Sequence, residues 1–414
     1  MTTAKPPTRG EVQIAVGLAA ALLFFVVILN ALHSDINSFD FAGFYTGGLI
    51  IRQGNASRLY DLGEQWRIER QLFNRKKLLI VNHPPFEALI FAGLARMSYR
   101  KAYVVWGATN VFLWLFFQHL LRRHATVPEN PYRYLLLCSL FFPLWTVLIL
   151  GQITVILLLL FSLTFVCQER DQDFRAGVFL GLGLIKFPIV LPFALICFLR
   201  GKWRLMAGFA ASASFLGVLS VIAVGSAGVR SYTNLLIDII RHPDNAAYST
   251  MRAWDEMPTV KGALATLLTN RLAMVHISEL TAVISGSLIL FVAWRWRQED
   301  GGGGRNSSGL MFAAALAVSQ VAAPHMYGYD LTLMLLAILL AVGSSQWSEK
   351  TGERVVLTAI IVILYCPPVY TMLLQWNSMY ILAPVLVAFA LAAISLARMA
   401  PAGVSARGLS AIDG

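Results

Sequence analysis

Asp40 is the first candidate for chemistry, because it stands between Phe39 and Phe41 shortly after a long apolar run. Partial removal of water raises the basicity of a carboxylate, so Asp40 could take a proton from a substrate hydroxyl. The structural alternative is a cap on a helix over 41–50, since aspartate is favoured at that position. Asp35 offers the same chemistry in a less favourable context.

His83 and Glu87 form a second candidate around the pair Pro84-Pro85. The prolines predict the start of a helix, with His83 at its mouth and Glu87 one turn further on in an apolar run. A charge in such a run is costly and tends to serve a function. The alternative for Glu87 is a stabilising charge at the start of its own helix.

Lys186 is a third candidate, in the sequence Gly-Leu-Gly-Leu-Ile-Lys-Phe-Pro. A lysine in an apolar run is expensive to bury, and Pro188 predicts a helix break that leaves free carbonyl groups and room for a cavity. A phosphate or a carboxylate would satisfy the ammonium group. The alternative is a lysine that extends to the membrane interface.

His325 and Asp330 form the fourth candidate, in Pro-His-Met-Tyr-Gly-Tyr-Asp. His325 precedes a predicted helix, where backbone N–H groups favour an anion such as a lipid phosphate. Asp330 could cap this helix or pair with Lys186. A purely structural histidine is the alternative.

The elements that carry these residues are mostly apolar. Of the 414 residues, 57% are hydrophobic and 13% are charged, against about 25% charged in soluble domains. Spanning helices of about 20 residues can place this apolar surface in a bilayer. The net charge of +11 lies in short clusters between apolar runs, which favours cytoplasmic loops over a nucleic-acid site. We therefore expect membrane lipids, and no nucleic acid, among the partners.

Neither a metal site nor a disulfide framework is expected. The four cysteines lie in or at the ends of apolar runs without CxxC spacing, which is typical of packing within a membrane domain. No GxGxxG, P-loop or HExxH pattern is present, so no bound nucleotide or other cofactor is predicted. The cysteines are Cys138, Cys167, Cys197 and Cys366.

We predict an all-α polytopic membrane protein in a single membrane domain over 1–414, with about twelve crossings and both termini in the cytoplasm. The first apolar run follows Lys5 and Arg9 and is too long for a signal-peptide core, which predicts a retained helix. A disordered cytoplasmic tail is expected over 399–414. The predicted crossings are 12–32, 85–97, 102–121, 134–150, 153–167, 176–199, 205–224, 279–296, 309–323, 328–342, 355–373 and 380–398.

Two long segments, 33–84 and 225–278, are predicted to be extracytoplasmic loops. The first is expected to carry the chemistry and two short helices over 44–52 and 62–73. The second of these helices has the mixed composition of a helix in the membrane interface.

Three arginines disagree with this topology, because Arg122, Arg123 and Arg133 would fall on the extracytoplasmic side. An alternative topology makes 176–199 a hairpin and places these arginines in the cytoplasm. The two long loops stay extracytoplasmic in both topologies.

Short motifs follow one another in a set order: Asp40-Phe41-x-x-Phe44-Tyr45, Gly54, Leu59-Tyr60-Asp61, Pro84-Pro85, Gly151-Gln152, Gly181, Lys186-x-Pro188, Pro324-His325 and Tyr329-Asp330. Together they resemble the polytopic glycosyltransferases of family GT87, also described as DUF2029, from about residue 35 to 345. Their order is the specific signal, since each motif alone is short.

The resemblance implies a GT-C fold with an extracytoplasmic site in a bacterial cell membrane. Such an enzyme transfers a hexose, typically mannose, with inversion from a polyprenyl-phosphate donor to a hydroxyl of a glycolipid or glycan. Asp40 would be the general base, and His325 would bind the donor phosphate with help from Lys186 or Arg252. The other residues expected to bind substrate are Tyr45, Tyr60, His83, Glu87, Gln152, Tyr329 and Asp330.

The acceptor stays open, because His83 stands where the family usually has an aromatic residue before the two prolines. A GT-C transferase for arabinose, glucose or aminoarabinose is an alternative within the same class. A transporter or flippase for polyprenyl-linked sugars and an inactive scaffold are alternatives of another class. The absence of an internal repeat argues against a secondary transporter.

Overall fold

The computed structural model describes residues 9–32, 39–73, 78–124, 131–242, 245, 248, 251, 253–299, 305–344 and 351–398. Asp35, Arg252 and the predicted tail over 399–414 lie outside these residues. The described part of the chain is helical and contains no strand. Its α-helices are α1 (Arg9–Leu32), α2 (Phe41–Arg52), α3 (Leu62–Phe73), α4 (Pro85–Leu94), α5 (Tyr99–His124), α6 (Pro131–Ser139), α7 (Phe142–Leu150), α8 (Thr154–Gln168), α9 (Asp173–Leu182), α10 (Phe187–Leu199), α11 (Trp203–Arg241), α12 (Val260–Leu268), α13 (Met274–Glu299), α14 (Arg305–Val321), α15 (Met334–Val342), α16 (Thr351–Tyr365), α17 (Pro367–Gln375) and α18 (Leu382–Ala397).

The predicted all-α polytopic membrane protein is confirmed. Within the described residues, 6 helices are long and apolar enough to cross a membrane, or up to 7 if the bent pair α16–α17 is one span. Several of the other predicted crossings correspond to shorter or broken apolar helices. The run 134–150, for example, is divided between α6 and α7 at Pro143, which lies in the first turn of α7.

Helix α4 is too short for the membrane crossing predicted over 85–97. It has 10 residues and is therefore about 15 Å long, half the thickness of a bilayer core. After α4 the chain lies close to Asp40 again, as shown by Tyr99 at the start of α5, which packs on Phe41 with ring centroids 5.6 Å apart. Helix α5 therefore begins at the end of the bundle that carries Asp40, which we call the Asp40 end.

This placement removes the disagreement over the three arginines. Helix α5 runs for 26 residues away from the Asp40 end, so Arg122 and Arg123 lie in its last turns at the opposite end. Tyr134 near the start of α6 donates a hydrogen bond to the Gln118 carbonyl at 3.1 Å, which places Arg133 at the opposite end as well.

The chain reverses at Lys186, although the run Asp173–Leu199 is long and apolar enough for one span. A Cβ atom on Gly177 would lie 1.8 Å from the carbonyl oxygen of Leu205, so α9 touches the start of α11. A straight helix would hold Gly177 and Leu199 about 33 Å apart, whereas the chain from Leu199 to Leu205 reaches about 21 Å at most. The contacts therefore favour the hairpin. Lys186 has φ −130° and ψ 62° at the turn.

The segment 225–278, predicted to be a loop, is largely helical. Helix α11 continues through a break at Gly225, which has φ 71° and ψ 173°, and ends at Arg241. A short 3-10 helix (Trp254–Glu256), α12 and the start of α13 follow. The segment 33–84 contains the two predicted short helices, with α3 at the predicted bounds and α2 starting three residues earlier than predicted.

Candidate active site

A cavity of about 1080 Å³ lies at the Asp40 end of the bundle. Its walls come from the start of α2, the segment 79–84, the α7–α8 and α9–α10 turns, the distal part of α11, the start of α13 and the segment 324–330. This volume is at the upper end for ligand pockets. Sequence-predicted residues that line it are Asp40, His83, Gln152, Lys186, His325, Tyr329 and Asp330.

The Asp40 side chain makes a hydrogen bond with another segment of the cavity wall and does not cap its own helix. It is the N-cap residue of α2, but its side chain makes no capping hydrogen bond. Its Oδ2 atom accepts a hydrogen bond from Gln152 Nε2 at 2.6 Å. The capping alternative therefore does not account for this carboxylate.

The turn at Gly151 places Gln152 beside Asp40. Gly151 has φ 69° and ψ 37°, a left-handed conformation that favours glycine, and a Cβ atom there would lie 2.7 Å from Phe41 Cβ. The indole nitrogen of Trp106 donates a hydrogen bond to the Gly151 carbonyl at 2.9 Å. The Gly-Gln motif is thus explained by a tight turn against the residue that follows Asp40.

Lys186 is engaged in a buried polar network. Its Nζ atom forms an ion pair with Asp330 Oδ1, and the two side chains are 10% and 1% exposed. Thr154 Oγ1 donates to the same oxygen at 2.8 Å, and the Tyr327 amide donates to Asp330 Oδ2 at 3.3 Å. The Lys186 ammonium also lies 4.6 Å from the centroid of the Tyr329 ring. The carboxylate of Asp330 therefore already compensates the charge of Lys186.

His325 is deeply placed and faces the cavity. Burial, followed by the positive charges of Lys186 and Lys261, lowers the pKa of His325 to about 3. The imidazole is therefore neutral at pH 7 and can donate one hydrogen bond. A bound anion would favour the protonated imidazole.

His83 is held by buried groups behind the cavity wall. Its Nδ1 atom lies 3.1 Å from Glu87 Oε2, and its carbonyl accepts a hydrogen bond from the Tyr60 hydroxyl at 2.7 Å. The ring of Phe44 lies 4.8 Å away, centroid to centroid. Glu87 is 1% exposed and does not line the cavity, so it supports His83 from behind.

Three further predicted residues are not at the cavity surface, and one cannot be placed. Tyr45 donates a hydrogen bond to the Met97 carbonyl at 2.8 Å, which ties α2 to the segment before α5. Tyr60 and Glu87 likewise lie outside the cavity lining. Arg252 falls outside the described residues.

Lys261, Trp254 and Glu256 also line the cavity, and sequence reasoning missed them as site residues. The Lys261 ammonium lies 4.8 Å from the centroid of the Trp254 ring, and burial lowers the pKa of Lys261. Burial, followed by the charges of Asp255 and Asp40, raises the pKa of Glu256. The available signal was a lysine two residues after Thr259, a helix-capping residue type, in the otherwise uncharged stretch 260–268.

Comparison with known proteins places this cavity in a family context. The model of glycosyltransferase family 87 matches residues 82–324, which is more than half of the chain and includes the segments that carry His83, Gln152, Lys186 and Lys261. No curated protein and no solved structure matches the chain. Members of this family are glycosyltransferases, and the several apolar helices make the chain a multi-pass membrane protein. The chain therefore belongs to glycosyltransferase family 87.

Proposed function

We propose that this protein transfers a hexose, with mannose favoured by the family resemblance, from a polyprenyl-phosphate donor to a hydroxyl of a glycolipid or glycan, with inversion at the anomeric carbon. The observation that carries the proposal is one cavity lined by the carboxylate of Asp40 and by the cationic and hydrogen-bonding groups of Lys261 and His325. Such a displacement requires a base that takes the proton of the acceptor hydroxyl, and cationic or hydrogen-bonding groups that stabilise the leaving phosphate.

Asp40 supplies the base in this mechanism. The acceptor oxygen attacks the anomeric carbon and passes its proton to Asp40, while the bond from that carbon to the phosphate oxygen breaks. The electron pair of the broken bond stays on the polyprenyl phosphate, which leaves as an anion. The hydrogen bond from Gln152 to Asp40 Oδ2 fixes the direction of the carboxylate.

An apolar wall of the cavity suits the lipid part of the donor. It is formed by Leu236, Ile239 and Ile240 of α11 and by Met274 and Val275 of α13. Ile240 is 77% exposed and Val275 is 58% exposed, as expected for side chains that face lipid. An isoprenoid chain between these two helices would place its phosphate in the cavity.

The cavity is proposed to face the extracytoplasmic side of a bacterial cell membrane. The turn between α10 and α11, at the end opposite to Asp40, carries Arg200, Lys202 and Arg204. An excess of basic residues in short turns marks the cytoplasmic side. Nucleotide sugars are scarce outside the cytoplasm, which favours a lipid-linked donor.

The test is sugar transfer in vitro from polyprenyl-phosphate mannose by the purified wild type and by Asp40→Asn. General bases contribute about 10²- to 10⁴-fold to rate, so we expect a loss of that size in kcat with little change in donor KM. Full activity of Asp40→Asn would remove Asp40 from this role. Movement of labelled donor across vesicles by both proteins, without sugar transfer, would instead support a flippase.

A further inference from the structure

We propose that Lys261 binds the phosphate of the lipid-linked donor beside His325, and that Lys186 does not contact the ligand but positions the segment 327–330. This inference rests on the proposed function and assigns its phosphate subsite. The sequence motifs favoured Lys186 as the lysine that helps to bind the phosphate, since Lys186 belongs to the family motif and Lys261 does not. The proposal gives this role to Lys261.

Lys186 is a poor candidate for the phosphate because its charge is already compensated. Its ammonium group pairs with Asp330 and lies 3.4 Å from Thr154 Oγ1. If the ammonium group moved toward a ligand, the buried Asp330 carboxylate would lose its cation, which is strongly unfavourable. Asp330 in turn accepts the Tyr327 amide, so the network fixes the turn that follows His325.

Lys261 is a cation without a carboxylate partner in the described part of the chain. Among the residues that the structure describes, no carboxylate oxygen lies within ion-pair distance of its Nζ atom. Its described neighbour is the face of the Trp254 ring, with the ammonium 4.8 Å from the centroid. A partly desolvated ammonium in a cavity favours an anionic ligand.

The local fold holds Lys261 toward the cavity. Thr259 caps α12 by accepting a hydrogen bond from the Gly262 amide at 3.0 Å. A Cβ atom on Gly262 would lie 2.2 Å from the Met257 carbonyl oxygen, so the start of α12 packs directly on the preceding turn. This close packing holds the start of α12 against the preceding turn, where Lys261 lies over Trp254 and lines the cavity.

A phosphate is the anion that this arrangement fits best. Lys261 and His325 both line the cavity, so a single anion between them would be attracted by the ammonium and would accept a hydrogen bond from the imidazole. The donor phosphate is a diester with one negative charge. When the bond to the sugar breaks, its electron pair passes to the phosphate oxygen and the charge grows toward two. Lys261 would therefore bind the product phosphate more strongly than the donor.

The experiment measures inhibition of transfer by polyprenyl phosphate and by uncharged polyprenol, together with donor KM and kcat. The variants are Lys261→Met, Lys261→Arg and Lys186→Met, and the matched control is Lys101→Met, an exposed lysine outside the cavity lining. We expect Lys261→Met to weaken inhibition by polyprenyl phosphate about 10- to 100-fold and to leave inhibition by polyprenol unchanged. Lys261→Arg should restore most of the loss.

Lys186→Met should lower the melting temperature of the protein without a matching change in inhibition by polyprenyl phosphate. Unchanged inhibition in Lys261→Met would overturn the assignment of Lys261. Inhibition weakened as strongly in Lys186→Met, at an unchanged melting temperature, would overturn the assignment of Lys186. If Lys261→Met does not fold, Lys261→Gln serves in its place, since it keeps a polar group of similar length.

The outcome can be separated from that of the proposed function. Direct binding of polyprenyl phosphate to the purified wild type and to Lys261→Met needs no sugar transfer. A wild type that transfers no sugar from polyprenyl-phosphate mannose, but binds polyprenyl phosphate through Lys261, would refute the proposed donor and support the phosphate subsite. Equal binding by both proteins would refute the subsite.

Discussion

Breaking the buried pair between Lys186 and Asp330 should destabilise the protein far more than removing both partners together. Lys186→Met leaves the Asp330 carboxylate, which is 1% exposed, without a cation, and Asp330→Leu leaves the ammonium without an anion. Loss of one partner from a buried pair costs about 3–5 kcal/mol. The double variant keeps neither charge, and leaves only the donors of Thr154 and Tyr327 unpaired, at about 1 kcal/mol each.

The assay is unfolding of the purified proteins in detergent by a denaturant titration, followed by tryptophan fluorescence. We expect losses of about 3–5 kcal/mol for each single variant and about 2 kcal/mol for the double variant. Thr109→Ala, at an exposed position on α5, is the control and should stay within about 0.5 kcal/mol of wild type. A double variant as unstable as the sum of the single variants would refute the buried pair, as would single variants that match wild type.

Two further outcomes follow from the turn at Gly151 and from His325. Gly151→Ala adds a side chain at φ 69° against Phe41 and should lower transfer by displacing Gln152 from Asp40, whereas Gly286→Ala, with open space around it, should not. Burial and nearby positive charge lower the pKa of His325 from 6.5 to about 3, so between these pH values the unfolded chain binds a proton that the folded protein does not. The free energy of unfolding should therefore fall as the pH drops from about 6.5 toward 3, by up to about 1.4 kcal/mol per pH unit. Denaturant titrations at a series of pH values measure this dependence, and His325→Gln should lose the part that His325 contributes. An unchanged pH dependence in that variant would contradict the lowered pKa.

The proposed roles of the two lysines illustrate why a family motif does not settle a mechanism. Lys186 occupies the motif and carries a charge in an apolar run, which is a strong signal for function. The structure satisfies that charge with Asp330, so Lys186 can be essential for the shape of the site without touching a ligand. A loss of activity in Lys186→Met alone would therefore not identify its role, and the stability and inhibition measurements are needed together.

Local signals in the sequence were sufficient for several elements. The prolines at 84 and 85 predicted the start of α4, and the mixed pattern over 62–73 predicted α3 at its observed bounds. The apolar composition predicted a polytopic membrane protein, and the order of short motifs predicted the family. Each of these predictions depends on the pattern of neighbouring residues, on the order of motifs or on the overall composition, all of which can be read from a single sequence.

The partners of the site residues were decided only by the tertiary structure. The pair of Lys186 and Asp330, 144 residues apart in sequence, was one of two alternatives predicted for Asp330, and only the structure shows it. Asp40 and Gln152 are 112 residues apart and were not predicted to be partners. The length of an apolar run also did not reveal that the chain reverses at Lys186 or that α4 is too short to cross. Lys261 was not a candidate in the sequence, and the packing of α12 places it in the cavity lining. The sequence determines which side chains carry a charge, whereas the fold determines which distant segments come together and so which of these charges compensate one another.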